Sequence, residues 1–533
     1  MLTILFRHAF NFKRLFLILV PFIAAILLRW LVIPITRIPF DSDEAIFLLM
    51  SRHILAGERP LFFYGEAYGG STDSYLTALF YYILNDSIFV ARLVQSLEYF
   101  IGIFFTFLLA RRLLPGARFG PIAVLWVMAL PPLLMTTWTT PAVEYAIVIS
   151  LGGIISYLGH RLLREDADHL WTWLIFGAVC GLSFWTFGIL VVYMLPVFLL
   201  FLWQFRRQRL GYYVLSALMF FVFSLPWWTQ ALPGLMVVYN PNQPPDYLPP
   251  FIMRVFAFFA LTLPSFLGFR EPWAPEISWP VLSLPILLFY LASSVYAIPF
   301  LRRADPHQPK IEPIGFVLLG LQLLVWLALY FGTRFSLDAT GRYILPLYPI
   351  LFIVTGLLLE RIYHWRRPVA LAILVIILAF NLATHLKAIQ LVPPGITAQM
   401  NPALQFGNDY DQELIGFVRA QGGRGYTHHW ISYKIAYLSH EQVILASLLP
   451  YRPDLKWNAL DNRYPPYLTL VESSPSRVYV THREPHLEAY LQQAFKARDI
   501  TYQLKDIGPY RVYYNFSNIV TPSQIGLGQP TQR

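Results

Sequence analysis

Apolar runs of about twenty residues recur from near the N-terminus to residue 388, and they constrain the fold more than any other feature. A helix rises about 1.5 Å per residue, so about 20 apolar residues cross the ~30 Å hydrocarbon core of a bilayer. A window of that length predicts spans at 15–35, 88–110, 119–137, 142–159, 170–186, 188–205, 211–230, 280–300, 313–331, 343–360 and 368–388, eleven in all. The stretch 170–205 is too long for one span and is divided at "FWTFG". Composition agrees: 56% of residues are hydrophobic and 13% charged, against the ~25% charged of a soluble globular protein. The fold class is therefore an α-helical polytopic membrane protein. Cys180, the single cysteine, lies inside an apolar run, which excludes an intramolecular disulfide and suggests neither a zinc site nor a thiol nucleophile. Arg7, Lys13 and Arg14 precede an apolar stretch too long for a signal-peptide core, so it reads as a retained first span.

Basic residues give the orientation. With a cytoplasmic N-terminus the inside segments are 1–14, 111–118, 160–169, 206–210, 301–312 and 361–367, and they hold 17 Lys and Arg in clusters such as "RRLLPGAR" and "QFRRQRL". That density predicts an N-terminus in the cytoplasm and an extracytoplasmic C-terminus at the plasma membrane. Arginines facing anionic lipid account for much of the net charge of +10, so no nucleic-acid partner is needed. Two domains are expected: a transmembrane domain, 1–390, with a structured external loop at 36–87, and a soluble extracytoplasmic α/β domain, 391–533. In the latter, "DQELIGFVRAQ" and "EPHLEAYLQQAFKARD" have helical spacing, while "SRVYVTH" and "YRVYYNF" alternate as strands. A third outside segment, 231–279, is Pro- and Asn-rich, then apolar from Phe251 to Phe266, which predicts an interfacial or re-entrant helix. No internal repeat is evident.

The external loop opens on "RIPFDSDEAIFLLMSRHILAGERP", which places Asp41, Asp43 and Glu44 within four residues at the membrane edge. Capping of the following helix by Asp41 or Ser42 explains one or two of these acids. The loop continues as helix, Gly-containing turn, aromatic loop, Gly-Gly turn and second helix, and long structured loops usually carry function. A carboxylate partly desolvated at headgroup level becomes a better proton acceptor.

"DSDEAIFLLMSRHILAGE…FFYGEAYGGSTDSYLTAL" resembles the first external loop of the GT-C superfamily of polytopic glycosyltransferases, in the protein mannosyltransferase and aminoarabinose transferase branch. The resemblance implies a GT-C-like membrane domain and an inverting transfer of a sugar from a polyprenyl-phosphate donor to an acceptor hydroxyl of a glycan, lipid or protein, within the lipid bilayer. It matches Asp43 to the catalytic aspartate and Glu44 to its neighbour. That branch has Glu-Lys-Pro-Pro before the second helix, where this chain has "GGSTDS"; Asp73 stands closest to the missing acid, and nothing replaces the lysine. The resemblance therefore leaves a divalent metal open and assigns no metal ligand.

Transfer needs a base for the acceptor and cations for the departing phosphate. Glu144, at the outer end of the fourth span, is a candidate second carboxylate, or else the N-cap of that span. Arg342 in "ATGRYILPLYP", followed by Tyr343, is the favoured phosphate ligand because guanidinium donates two charge-assisted hydrogen bonds; an interfacial arginine reaching to headgroups is the bland alternative. Arg92 is a further candidate. Arg29 and Glu98 lie at membrane depth and are expected to pair with each other. His428 and His429, read as adjacent strand residues, point to opposite faces and make a poor metal pair. The rival reading is a transporter or lipid flippase that uses Arg29, Glu98 and Glu144 as a translocation path, but transporters favour mid-membrane polar residues and repeats.

Overall fold

The computed structural model describes residues 12–32, 39–66, 69–141, 143–164, 169–231, 250–273, 276–301, 313–338, 340–390 and 407–529. The chain divides into two compact units. One comprises Met1–Arg37 with Arg92–Val392, the other Ile38–Ala91 with Pro393–Arg533.

The first unit is helical. Within the described residues each of the eleven predicted apolar runs contains helix. Among the described residues six helices are long and apolar enough to cross a membrane alone: Ile88–Leu113, Tyr145–Leu163, Pro280–Phe300, Pro313–Gly332, Arg342–Trp365 and Arg367–Ala388. Gly120–Ala129 and Leu133–Thr139 make a seventh if counted as one span, bent by 61°. The bend falls at Pro131 and Pro132, whose missing N–H groups break the helical ladder. Leu170–Thr186 and Gly188–Trp203 are shorter apolar helices, separated where Phe187 is extended (φ −160°, ψ 125°) at the "FWTFG" break. The N-terminal helix Phe12–Leu27 continues as a π-helical turn, Leu28–Val32. Phe251–Phe266 is likewise a short apolar helix, and the Pro/Asn-rich part of its loop, 232–249, lies outside the described residues.

Small residues let these helices approach closely, because in lipid packing drives association more than hydrophobicity does. A Cβ at Gly120 would lie 2.6 Å from the Gly356 carbonyl oxygen, and Gly177 and Gly181 abut the backbone of Leu210–Phe223 at Ser216 and Phe220. Glu360, itself buried, accepts from the N–H groups of Arg118 (3.1 Å), Phe119 (2.8 Å) and Gly120 (2.6 Å), satisfying the orphan donors of a helix start. Val281 is 85% exposed and Phe256 72%, a surface suited to lipid rather than water.

The second unit joins the predicted external loop to the C-terminal residues. Ser42–Leu55 and Thr72–Ile83 are the two loop helices. The first ends before Gly57, whose φ of 109° no L side chain adopts easily. Residues 407–529 carry a five-stranded sheet of β1 (Arg424–Thr427), β2 (Ile444–Ser447), β3 (Val478–Thr481), β4 (Gln503–Ile507) and β5 (Tyr510–Tyr514), in the order β2-β1-β3-β5-β4. β1 runs parallel to β2 and β3, whereas β5 runs antiparallel to β3 and β4. Helices Asp411–Ala420 and Pro485–Lys496 and strands β3 and β5 occur where spacing predicts them. Leu414, Val418, Ile431, Ile435, Leu445, Val480 and Val512 share its buried core.

Candidate active site

Asp41 is the N-cap of Ser42–Leu55, and its carboxylate accepts from the Glu44 N–H at 3.1 Å. One of the three acids is thereby used for capping. Asp43 and Glu44 follow in the first turn, where a helix end favours negative charge. The chain entering that helix is clamped by Asn408: its Nδ2 donates to the Phe40 carbonyl at 2.9 Å, and its Oδ1 accepts from the Phe40 N–H at 3.0 Å. Ser42 Oγ accepts from the Lys434 N–H at 3.3 Å, tying the helix to His429–Leu438.

His429 opens that second helix. Its Nε2 lies 2.9 Å from Asp43 Oδ1 and its Nδ1 3.4 Å from the Asp461 carbonyl oxygen. The imidazole side chain is 4% exposed and the Asp43 side chain 25%. A neutral ring carries one N–H, and the shorter contact places it on Nε2, donating to the carboxylate; a protonated ring satisfies both acceptors. β1 ends at Thr427, so His428 and His429 are not strand residues as expected. His428 stands instead at the N-cap position of the helix, where its side chain makes no capping hydrogen bond and pairs with Glu484 at 3.2 Å. Burial pushes the Asp461 carboxyl up, although His429, Arg463, Arg452 and His428 pull it down. Burial pushes Lys434 down against the opposing pull of Asp411, 3.0 Å away. Glu44 and Asp73 are each 1% exposed, Asp73 in the first turn of Thr72–Ile83. Ser51 Oγ donates to the Ser74 carbonyl at 3.0 Å, and Ser74 Oγ to the Phe47 carbonyl at 3.2 Å, locking the two loop helices together.

The remaining candidates lie in the first unit. Glu144 stands at the N-cap position of Tyr145–Leu163, but its side chain makes no capping hydrogen bond, so the capping alternative does not describe it. Its backbone is left-handed (φ 66°), a conformation that costs a non-glycine residue on the order of 1 kcal/mol and gathers at functional sites. The neighbouring Tyr145 interacts electrostatically with Arg342, Tyr343, Asp338 and Glu144. Arg342 follows Gly341 (φ 74°), ion-pairs with Asp338, and lies over the rings of Tyr343 (5.0 Å) and Trp138 (5.6 Å). The structure thus brings Glu144, Arg342 and Tyr343 into one neighbourhood. Arg92 is buried near the start of Ile88–Leu113.

Arg29 does not pair with Glu98. Its Nη1 donates to the Thr139 carbonyl (2.8 Å) and Thr140 Oγ1 (3.3 Å), its Nη2 to Thr139 Oγ1 (2.6 Å), and the guanidinium lies 4.0 Å from the Tyr99 ring centroid. The helix Leu133–Thr139 stops two residues before Pro141, and the freed carbonyl at its end attracts the cation more cheaply than a carboxylate that would also need desolvation. Two further residues received no place in the site from the sequence. One is His429, weighed there only as a metal ligand; the other is Arg270, 5% exposed, whose Nε and Nη1 have no hydrogen-bond partner among the described residues while Nη2 donates to the Pro272 carbonyl at 3.3 Å. The adjacent Glu271 is occupied by Lys387 at 2.6 Å. An apolar run interrupted by "GFREPW" was the only sequence signal for Arg270. Among the described residues no three His, Cys, Asp or Glu side chains converge as metal ligands, so Asp43, Glu44 and Asp73 do not form a metal site by themselves.

Residues 72–228 match the family described as dolichyl-phosphate-mannose-protein mannosyltransferase. No curated protein sequence matches the chain. Among solved structures, ArnT from Cupriavidus metallidurans in the apo state superposes with a TM-score of 0.59 at 13% identity, covering 93% of this chain and 97% of that one. ArnT bound to undecaprenyl phosphate gives a TM-score of 0.56 at 12% identity over 94% and 98%. The archaeal oligosaccharyltransferase AglB from Archaeoglobus fulgidus, in complex with an inhibitory peptide and a dolichol-phosphate, gives 0.54 at 14% over 91% and 71%. The resemblance to polytopic glycosyltransferases of the GT-C superfamily, on the mannosyltransferase and ArnT side, thus holds both in the family match over 72–228 and in a fold shared over more than nine-tenths of the chain.

Proposed function

We propose that the chain is an inverting membrane glycosyltransferase that moves a sugar from a polyprenyl-phosphate donor to an acceptor hydroxyl on the extracytoplasmic face. The observation that carries this reading is Asp43: a partly exposed carboxylate in a helix first turn, held at 2.9 Å by a buried imidazole, beside the family-matched segment. Eleven spans, a cytoplasmic N-terminus and an extracytoplasmic tail fit the apolar pattern and the basic clusters, and residues 1–390 and 391–533 are the proposed membrane and soluble domains.

In this reading Asp43 takes the proton as the acceptor oxygen attacks the anomeric carbon. The C1–O bond to phosphate breaks with its electron pair on the phosphate oxygen. A single displacement inverts C1 and releases polyprenyl phosphate. Phosphate leaves without a general acid when cations meet its charge. Arg342, with Tyr343, and Arg92 are the cation candidates from the sequence; Arg270 joins them, because a buried guanidinium with unfilled donors is costly until an anion arrives. Glu44, Glu144 and Asp73 position the acceptor. Binding holds the reactants in attack geometry, which supplies much of the rate. The ArnT and AglB structures were solved with undecaprenyl phosphate and with dolichol-phosphate plus a peptide, which supports a lipid-linked donor and a separate acceptor. A translocation path loses support because Arg29, one of its proposed members, is fixed by three protein hydrogen bonds.

The test is transfer by the full chain in lipid nanodiscs from labelled polyprenyl-phosphate sugars, followed by the anomeric configuration of the product. Transfer with inversion is expected. Retention of configuration, or movement of the lipid across the bilayer without transfer, refutes the proposal.

A further inference from the structure

The geometry points to His429 as the positioning residue of this reaction: it holds the Asp43 carboxylate ionised and oriented for the acceptor's proton. This rests on the reading of Asp43 as the base. Three observations support it beyond the 2.9 Å contact. First, donor and acceptor differ in access. The imidazole is 4% exposed and the carboxylate 25%, so the donor is fixed in protein while the group it holds remains reachable. Second, the ring is immobilised on every side. It belongs to the first turn of His429–Leu438, approaches the Asp461 carbonyl with Nδ1 at 3.4 Å, and meets Trp430 and Tyr433 edge to face at 5.0 and 5.5 Å. Third, the helix bearing His429 also donates the Lys434 N–H to Ser42, the residue before Asp43, so both partners are registered by one packing interface.

A purely structural purpose explains this poorly. The bond ends on a carboxylate that stays reachable rather than on one sealed in the core, and one hydrogen bond decides which way a carboxylate faces. During transfer the acceptor O–H bond breaks, its electron pair forms the bond to C1, and the proton goes to Asp43, while His429 keeps its own proton throughout. Each carboxylate oxygen has two lone pairs, so accepting from His429 leaves capacity for a proton. The charged and titratable groups around the pair include Asp41 and Glu44 at the start of the same helix, Asp461, Arg452 and Arg463 acting on Asp461, His428, Tyr433 and Tyr451. A donated hydrogen bond favours the ionised acid, so its loss moves the acid limb of the rate profile to higher pH.

The test compares wild type, His429→Phe, His429→Gln and Asp43→Asn as full chains in nanodiscs, using a labelled undecaprenyl-phosphate sugar that wild type turns over. His429→Phe is expected to lower kcat about 10- to 100-fold, to leave the donor KM within about threefold and to raise the acid limb, in line with a hydrogen bond to a charged group. His429→Gln, whose amide N–H reaches to the place of Nε2, recovers most of the loss. A folded His429→Phe with wild-type kcat and acid limb overturns the inference. So does a parallel loss of kcat and unfolding temperature with an unmoved limb and no recovery in His429→Gln. If His429→Phe does not fold, His429→Ala is assayed with added imidazole: restored kcat, absent in Asp43→Asn, supports the inference, and no restoration overturns it. Transfer by Asp43→Asn equal to wild type removes the base assignment itself; an inactive Asp43→Asn beside an unaffected His429→Phe removes only the histidine.

Discussion

Asn408→Ala isolates the clamp that feeds the chain into the Asp43 helix. The wild-type amide makes two hydrogen bonds to the Phe40 backbone, at 2.9 and 3.0 Å, and Phe40 is 5% exposed, so water does not readily replace them. Nδ2 also donates to Asp411 Oδ2 at 3.0 Å. Each backbone group left dry costs about 1–3 kcal/mol, and two of them together set a local cost of about 2–6 kcal/mol. At about 1.4 kcal/mol per tenfold change in an equilibrium constant, the first turn of Ser42–Leu55 opens about 30- to 20,000-fold more often. Hydrogen exchange of the full chain in nanodiscs reads this in peptides spanning 39–50. There the Glu44 N–H bonds to Asp41 Oδ1 and the Ala45 N–H to the Asp41 carbonyl at 3.0 Å. Protection is expected to fall there and to hold in Pro485–Lys496, a helix of the same unit distant in sequence. Protection at 39–50 within about threefold of wild type refutes the clamp, and equal loss in both helices shows general destabilisation instead.

Three further outcomes follow from the packing and charges. Lys434→Met leaves Asp411, 1% exposed, without the ammonium 3.0 Å away and should cost the second unit about 3–5 kcal/mol; thermal unfolding checks this, with Lys434→Met/Asp411→Leu expected to regain part of the loss and a double variant no better than the single one contradicting it. Burial raises the Glu441 pKa, but the His53 and Tyr467 hydrogen bonds and the His53 charge outweigh it, so the net folded value lies below the ordinary 4.5. Its stabilisation is therefore complete above about pH 4.5 and is lost as pH falls through the lower folded value; Glu441→Gln should flatten the decline of unfolding temperature in that window, and an unchanged slope rejects it. Gly120→Val drives a side chain to within 2.6 Å of the Gly356 carbonyl and should lower stability by about 1–3 kcal/mol or more, read as the unfolding temperature in detergent, whereas an unaltered temperature would show that the two helices can separate freely.

Much of the membrane unit was legible because bilayer thickness fixes a length scale that sequence periodicity reports directly. The break at "FWTFG" appears at Phe187 for that reason. The two loop helices and the β3 and β5 strands were legible from local spacing and turn residues. The site was legible only where its chemistry is local. Asp41, Asp43 and Glu44 announce a helix start, but which one caps it depends on a backbone geometry that places Asp41 against the Glu44 N–H. Nothing in a linear pattern connects Asp43 to His429 across 386 positions, since that contact depends on how Ser42–Leu55 packs on His429–Leu438. The Arg29–Glu98 expectation failed for a related reason. Charge complementarity is visible in sequence, whereas the carbonyl freed at Thr139 exists only once the helix Leu133–Thr139 has formed and stopped there. The left-handed Glu144 and the buried donors of Arg270 are likewise products of the fold.

The most direct measurement is single-turnover transfer from a labelled polyprenyl-phosphate sugar by wild type and Asp43→Asn in matched nanodiscs, with binding of polyprenyl phosphate measured alongside. A positioned general base contributes about 10²- to 10⁴-fold. A slowing of that size in Asp43→Asn, with lipid-phosphate binding retained, is the predicted result. Equal single-turnover rates would contradict the assignment of the proton to Asp43.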